Sequence, residues 1–351
     1  GGWTLKQYRD ARQNCQWSSS KGVAKYQSIA GEGEQTHQET GAFAFQTCRL
    51  DASGADGAAQ LVIHRIGSPD GKPTEMKHGA WRSWLFRPMR GLDWRPHSAS
   101  GKRLSEGDLV WYTAHRFFPV FAQNGTEIML PPLHNHHCSY FGHRGGTTAD
   151  TACEPGLRNE LSSTADQLCT DEQGGAECIM YRMPDWHVLA HDQVKNGLLT
   201  IIVDDVRPAL PQHHEEGILL YYELAMRVLI PPYSPKLVHA WHHNWHIYPS
   251  TEEVEKRKRK HSVGTADMLT QTNVIEVPSE GPSFITMQRR FPCSGTVIKE
   301  SLHSHTKFLD ELLVFRGDLS RVLDHMGYHS AAERSSRGLS ALRAERLAKL
   351  S

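Results

Sequence analysis

Short apolar segments separated by turn-forming residues recur along most of the chain, and this pattern predicts strands. Two such segments lie near the start, at residues 42–49 and at Ala59–Ile66, and residues 108–113 alternate between apolar and polar positions. Further apolar runs occupy residues 117–121, 127–130, 198–203, 218–222 and 226–230. The sequence therefore predicts a mainly β protein, built as jelly-roll-like β-sandwich domains.

The end of the chain has a different pattern. Leu339, Leu342, Leu347 and Leu350 recur at helical spacing with basic residues between them, which predicts a C-terminal amphipathic helix. We expect this helix, over residues 331–350, to pack against the rest of the chain or to contact a protein partner. Four regions follow: an N-terminal extension at 1–84 that is partly strand and wraps around its neighbours, a first jelly-roll-like domain at 85–232, a partial second one at 233–330, and the helix at 331–351.

Charge and hydropathy exclude two classes of partner. The 39 Lys and Arg residues balance the 39 Asp and Glu residues, so the formal net charge is zero. A neutral chain is not expected to bind nucleic acid as its main function. The sequence contains no apolar run of the length that a membrane span requires.

The cysteines indicate an oxidising compartment. Cys169 and Cys178 bracket a glycine-containing loop, as a local disulfide would, and the seven cysteines lack the tight pairs of a zinc ribbon. Asn124-Gly125-Thr126 is an acceptor sequence for N-linked glycans. We expect a secreted protein or one of an organelle lumen.

Histidine, the commonest transition-metal ligand, occurs 22 times, and some copies are clustered. In the run Leu133-His-Asn-His-His-Cys138, a strand would place His134 and His136 on one face and His137 on the other. His303 and His305 form a second alternating pair, which would be a ready chelate in a strand. A third group, at residues 239–246, has helical spacing, and we interpret it as surface packing.

These motifs, taken in order, resemble those of the type II copper, ascorbate-dependent monooxygenases, the peptidylglycine α-hydroxylating and dopamine β-monooxygenases. The similar pieces are His136-His137 followed by Phe141-Gly142, then Ile230-Pro231-Pro232, then His303-Ser304-His305. The resemblance extends over residues 105–318, and its motifs are short.

The resemblance implies two jelly-roll domains, each with one copper, and ascorbate as the electron donor for hydroxylation of a C–H bond in a small molecule or peptide. One copper would take the His-His pair and a third histidine, and the other would take His-x-His and a methionine. The chain departs from this pattern in two places. Asp204 stands where the third histidine belongs, and Met326 is the only methionine after His305. The candidate metal ligands are His134, His136, His137, Asp204, His303 and His305.

Three interpretations remain open. The chain is a copper-binding protein of the monooxygenase type, active or inactive as an enzyme. Alternatively, it is a non-catalytic structural or interaction subunit that keeps the fold. A third interpretation is a cupin-type enzyme with a single metal, since His303, His305 and Glu311 resemble the first cupin motif.

Overall fold

The computed structural model describes most of the first 240 residues and a few positions near residue 296. All described residues belong to the larger of two compact units into which the chain divides, formed by residues 1–243 and 292–300. The described residues are 4–30, 37–76, 81–105, 107, 109–129, 132–142, 159–163, 181–192, 197–207, 217–240, 295, 296 and 298.

One helix and thirteen strands are present in this part of the chain. The helix, α1, spans Leu5–Arg12. The strands are β1 (Ser18–Ala30), β2 (His37–Asp51), β3 (Ala59–Ile66), β4 (Thr74–Met76), β5 (Trp81–Met89), β6 (Leu109–Phe121), β7 (Leu133–Gly142), β8 (Asn159–Ser163), β9 (Tyr181–Arg182), β10 (His187–Asp192), β11 (Gly197–Asp205), β12 (Ile218–Leu229) and β13 (Val238–His239).

The thirteen strands belong to one sheet, in the order β13-β10-β6-β12-β3-β2-β1-β5-β11-β7-β8, with β4 beside β12 and β9 beside β6. All pairs are antiparallel except β10 with β13, which is parallel. The prediction of a mainly β protein is confirmed. The jelly-roll-like sandwich arrangement stays a prediction.

The sheet curls so that strands far apart in its order share one apolar core. Five strands separate β7 from β12 in the sheet. Nevertheless, the hydroxyl of Tyr222 on β12 donates to Oδ1 of Asn135 on β7 at 2.7 Å, and Asn135 donates to the carbonyl of Phe117 on β6 at 3.2 Å. Leu133 and Cys138 of β7 belong to the same buried cluster as residues of β2, β3, β6 and β12.

The opposite face of the sheet carries α1. Thr4 caps the helix by accepting from the backbone N–H of Gln7, and the Gln7 side chain accepts from the backbone N–H of Thr4. Leu5 and Tyr8 are buried against residues of β2, β3, β6 and β12. A disulfide between Cys15 and Cys48 ties the chain just after α1 to β2. The sequence analysis did not predict this helix, which has only two turns.

Two pairs of predicted apolar runs are continuous strands. β6 includes both 108–113, apart from its first residue, and 117–121, while β12 includes 218–222 and most of 226–230. We expected turn-forming residues between the two runs of each pair. The expectation was wrong, since Arg116 and Glu223 are buried within the strands and take part in ion pairs. The predictions at 42–49, 59–66 and 198–203 are confirmed by β2, β3 and β11.

Several predictions fall outside the described residues: the C-terminal helix at 331–351, most of the region 233–330, and the Cys169–Cys178 loop. The domain boundaries stay a prediction. A disulfide is present, but the pair that the structure describes is Cys15–Cys48. Among the described residues, no helix combines the length and apolar character needed to cross a membrane.

Candidate metal centre

The first predicted copper site lies on two neighbouring strands, β7 and β11. Their antiparallel register places Asp204 opposite His134 and Ile202 opposite His137. Between these two pairs, Asn135 and His136 of β7 stand against the single residue Val203 of β11, which is the two-against-one count of a β-bulge. Bulges interrupt the regular alternation of a strand and commonly occur beside functional sites.

A histidine and a carboxylate from the candidate ligand set meet across this strand pair. Nδ1 of His134 lies 3.2 Å from Oδ2 of Asp204. The side chains are 17% and 26% exposed, so the pair is at the surface of the sheet rather than in its core. When Nδ1 donates its proton to the carboxylate, the lone pair of the imidazole is on Nε2, the atom that would coordinate a metal.

The next carboxylate along β11 is already neutralised. Asp205 is buried, and both of its oxygens accept from the guanidinium of Arg207 at 2.6–3.0 Å. Oδ1 of Asp205 also accepts from the backbone N–H of Arg207. This pair has the saturated, bidentate geometry of a structural ion pair. Asp205 is therefore committed to Arg207 and is not a candidate ligand.

The inward-facing residues of β7 hold the strand in place. Asn135 is buried and bonded to both Tyr222 and the Phe117 carbonyl, as described above. Burial raises the pKa of the Cys138 thiol far above its usual value, so this sulfur stays protonated. The side chain belongs to the buried apolar cluster, so Cys138 packs as a core residue.

The structure brings part of the predicted ligand set together. His134 and Asp204 are in contact, and the backbones of His136 and His137 lie on the same strand within three residues of His134. Alternation across β7 predicted a shared face for His134 and His136, and the register shift between Ile202 and Asp204 falls in that stretch. The roles of His136 and His137 stay predictions. His303, His305 and Glu311 lie outside the described residues, and within the described residues no group of three or more His, Cys, Asp or Glu side chains is arranged to hold a metal.

Buried histidines in the main core were missed by the sequence analysis. His64 lies with its ring 4.5 Å from that of Trp94, and Trp94 lies 6.5 Å from His191. Nδ1 of His64 is 3.1 Å from the Thr47 hydroxyl. Burial lowers the pKa of both His64 and His191 to about 3, so both rings are neutral at ordinary pH. The only sequence signal was a histidine beside apolar residues in each of two strand segments, His64 in β3 and His191 in β10.

A charged cluster under α1 was also missed. The Glu223 side chain is 0% exposed. It accepts from Arg12 at 2.6 and 2.8 Å, from Arg65 at 2.8 and 3.0 Å, and from the Tyr8 hydroxyl at 3.4 Å. Burial and the charge of Glu223 raise the pKa of Tyr8 to about 12, so its hydroxyl remains a donor. This cluster attaches α1 to the sheet, and its saturated carboxylate has no capacity for a ligand.

No protein-family model, curated protein or solved structure matches this chain.

Proposed function

We propose that the chain is a copper-binding protein and that one copper site lies at the β7–β11 strand pair. The observation that supports this most directly is the contact of His134 with Asp204, 70 residues away in sequence. Both residues belong to the candidate ligands of the sequence, His134 through its alternation with His136 and Asp204 through its position in the monooxygenase resemblance. Two further histidines, His136 and His137, follow on the same strand.

The chemistry of these donors suits a divalent transition metal. Imidazole nitrogen binds copper and zinc well, and a carboxylate adds a harder, anionic ligand that compensates part of the metal charge. The Irving–Williams order favours Cu²⁺ over the other divalent ions of the first transition row at such a site. The partial exposure of both side chains leaves the site reachable from solvent.

Asp204 has two roles open to it. As an outer partner, it would accept from Nδ1 of His134 and fix the ring so that Nε2 points toward the metal, an arrangement common in metalloproteins. As a direct ligand, it would replace the third histidine that the monooxygenase resemblance implies at this position. In either role, its removal weakens metal binding.

A second copper at His303 and His305, and ascorbate-dependent hydroxylation of a small molecule or peptide, complete the proposal in its monooxygenase form. This part rests on the resemblance of the sequence motifs. Bound copper would supply the redox chemistry of such a reaction. The secreted or lumenal location that goes with it is supported by the Cys15–Cys48 disulfide, since disulfides persist in oxidising compartments.

One observation favours a second candidate, a non-catalytic metal-binding or interaction subunit. Asp204 stands where the resemblance implies a histidine, and a carboxylate prefers Cu²⁺ to the softer Cu⁺. A site with this ligand would resist the change of oxidation state that electron transfer requires. The two candidates differ in one measurable respect: only the enzyme would consume O₂ faster than free copper does when copper and ascorbate are both supplied.

The test is a copper titration of the full chain after removal of bound metal by a chelator. We expect the wild-type chain to bind Cu²⁺, and we expect both His134→Ala and Asp204→Asn to weaken binding by 10-fold or more, as is typical for ligands and their outer partners. His187→Ala is the matched control because Nδ1 of His187 lies 2.9 Å from a backbone carbonyl, that of Asp185, rather than near a carboxylate.

Equal copper affinity in the wild-type, His134→Ala and Asp204→Asn chains would overturn the assignment of the site. The double variant His303→Ala, His305→Ala tests the second site separately, and we expect it to lose one metal equivalent. The enzymatic form would consume no O₂ in the absence of ascorbate. In the presence of ascorbate, it would consume O₂ faster than the same amount of free copper does.

A further inference from the structure

A tight turn follows β6 and presents the only N-glycosylation sequence of the chain, Asn124-Gly125-Thr126. Backbone hydrogen bonds close the turn, from Phe121 N–H to the carbonyl of Thr126 and from Gly125 N–H to the carbonyl of Phe121. Gly125 has a φ of +69°, in the left-handed region, so this glycine suits the turn. The position of Asn124 is therefore well defined.

Residues of β6, β12 and α1 hold the turn in place. Ile128 N–H donates to the carbonyl of Pro119, and Ala122 N–H donates to the carbonyl of Leu219 on β12. The guanidinium of Arg12, just at the end of α1, lies so close to Gly125 that a side chain there would collide with it. Asn124 itself is exposed, so its side chain leads away from this packed base.

The hydrogen bond of the Asn124 side chain engages its oxygen and leaves its nitrogen available for a glycan. Its Oδ1 accepts from the backbone N–H of Thr126 at 2.8 Å, which closes an Asx turn. An N-linked glycan is joined through Nδ2 and leaves Oδ1 as an acceptor. The folded turn can therefore carry the sugar without losing this hydrogen bond and without burying a bulky polar group.

From these observations we infer that Asn124 is a site of N-linked glycosylation. In the attachment step, a bond forms between Nδ2 and the anomeric carbon of a lipid-linked oligosaccharide, the lipid diphosphate leaves, and Nδ2 gives up one proton. The Cys15–Cys48 disulfide supports passage through the compartment where this modification occurs. The inference does not depend on copper binding, since no candidate metal ligand is in the turn.

The test is expression of the full chain through a eukaryotic secretory pathway, followed by digestion with peptide N-glycosidase F. We expect the untreated protein to migrate more slowly than the digested protein, by the amount of a single glycan. We also expect mass spectrometry to find Asp in place of Asn124 in the digested peptide, because the enzyme releases the glycan by hydrolysing the side-chain amide of the asparagine.

Three variants control the result. Asn124→Gln and Thr126→Val should abolish the shift, whereas Thr126→Ser, which keeps the hydroxyl of the acceptor sequence, should retain it. Because the sugar is added before folding is complete, the shift can be read on intracellular lumenal protein even if a variant is not secreted. A wild-type chain that enters the pathway and shows no shift, or a Thr126→Val chain that still shows it, would overturn the inference.

Discussion

Two carboxylates of this molecule, Glu223 under α1 and Asp204 on β11, are both paired with basic side chains, but their surroundings differ. Glu223 is 0% exposed and accepts from two arginines and a tyrosine, whereas Asp204 is 26% exposed and lies beside one imidazole of the candidate ligand set. A buried carboxylate of this kind must be saturated, because an unpaired buried charge is costly. A partly exposed one is free of this requirement.

The comparison separates structural from ligand-binding polar residues. The two arginines beside Glu223 are positively charged and repel a metal cation, and the raised pKa of Tyr8 keeps its hydroxyl protonated, so the Glu223 cluster serves to attach the helix. Imidazole can donate through one nitrogen and coordinate through the other. The His134–Asp204 pair is therefore the place where added metal should change the protein, and the Glu223 cluster is where mutation should change its stability.

The largest effect is expected from Glu223→Gln. The variant removes the charge that two buried arginines share, and breaking a buried ion pair from one side costs about 3–5 kcal/mol of unfolding free energy. Urea denaturation followed by circular dichroism measures this. Asp10→Asn is the control, since the exposed Lys6–Asp10 pair contributes about 0.5 kcal/mol or less. A similar small loss for both variants would show that the cluster under α1 is not structural.

Acid should destabilise the fold through the buried core histidines. The unfolded chain protonates His64 and His191 below pH 6.5, but the folded chain does so only near pH 3. Stability is therefore greatest above pH 6.5 and falls as the pH drops toward 3, by about 4 kcal/mol for the two groups between pH 7 and pH 5.

Denaturation curves at pH 7, 6 and 5 measure this loss. His64→Asn removes one of the two titrating groups and keeps a polar atom for the Thr47 hydroxyl, so its stability should depend on pH about half as steeply. An unchanged slope in this variant would mean that His64 does not contribute. Burial is the first cause of its low pKa, and the positive charge of Arg49 adds to it.

Loss of the Cys15–Cys48 disulfide should have the next largest effect. The bond closes a loop with a sequence separation of 33 residues. By limiting the conformational entropy of the unfolded chain, a loop of this length raises the free energy of unfolding by about 3–4 kcal/mol. The Cys15→Ala, Cys48→Ala variant should lose this amount of unfolding free energy under oxidising conditions. Reduction of the wild-type chain should bring it to the same stability, and a stability that reduction leaves unchanged would contradict the expectation.

A smaller loss of stability is expected at Tyr222, which follows Tyr221 on β12, precedes Glu223 and contacts β7 next to His134. Tyr222→Phe removes the hydroxyl that donates to Asn135 on β7, beside His134. The loss of one buried hydrogen bond costs about 1 kcal/mol. The denaturation midpoint measures this, and copper titration of the same variant shows whether the inward support of β7 also affects the site. A fall in copper affinity without a fall in stability would be unexpected.

The sequence predicted strands well where both the apolar pattern and the ends were clear, as at Ala59–Ile66, which coincides with β3. It failed where charged residues were buried, because Arg116 and Glu223 look like turn residues until their partners from other elements are known. Those partners lie up to 215 residues away, as Tyr8 does from Glu223. No local pattern predicts such a pairing.

The candidate metal site, too, could be predicted from the sequence only in part, because its residues come from distant segments. Strand alternation made His134 a candidate ligand and the resemblance made Asp204 one, but neither the antiparallel register of β7 with β11 nor its bulge could be predicted from the two segments alone. Register depends on the whole sheet and on the core beneath it. The buried His64 and His191 gave no cluster signal, since neither has another histidine within three residues of it in sequence.

The most direct test of the central claim is a double-mutant cycle on copper affinity with His134→Ala, Asp204→Asn and the two changes together. If the cross-strand pair acts as one site, the double variant should bind Cu²⁺ no more weakly than the worse single variant, and the losses should be far from additive. Fully additive losses would show two independent contributions. Wild-type affinity in all three variants would place copper elsewhere and contradict the account.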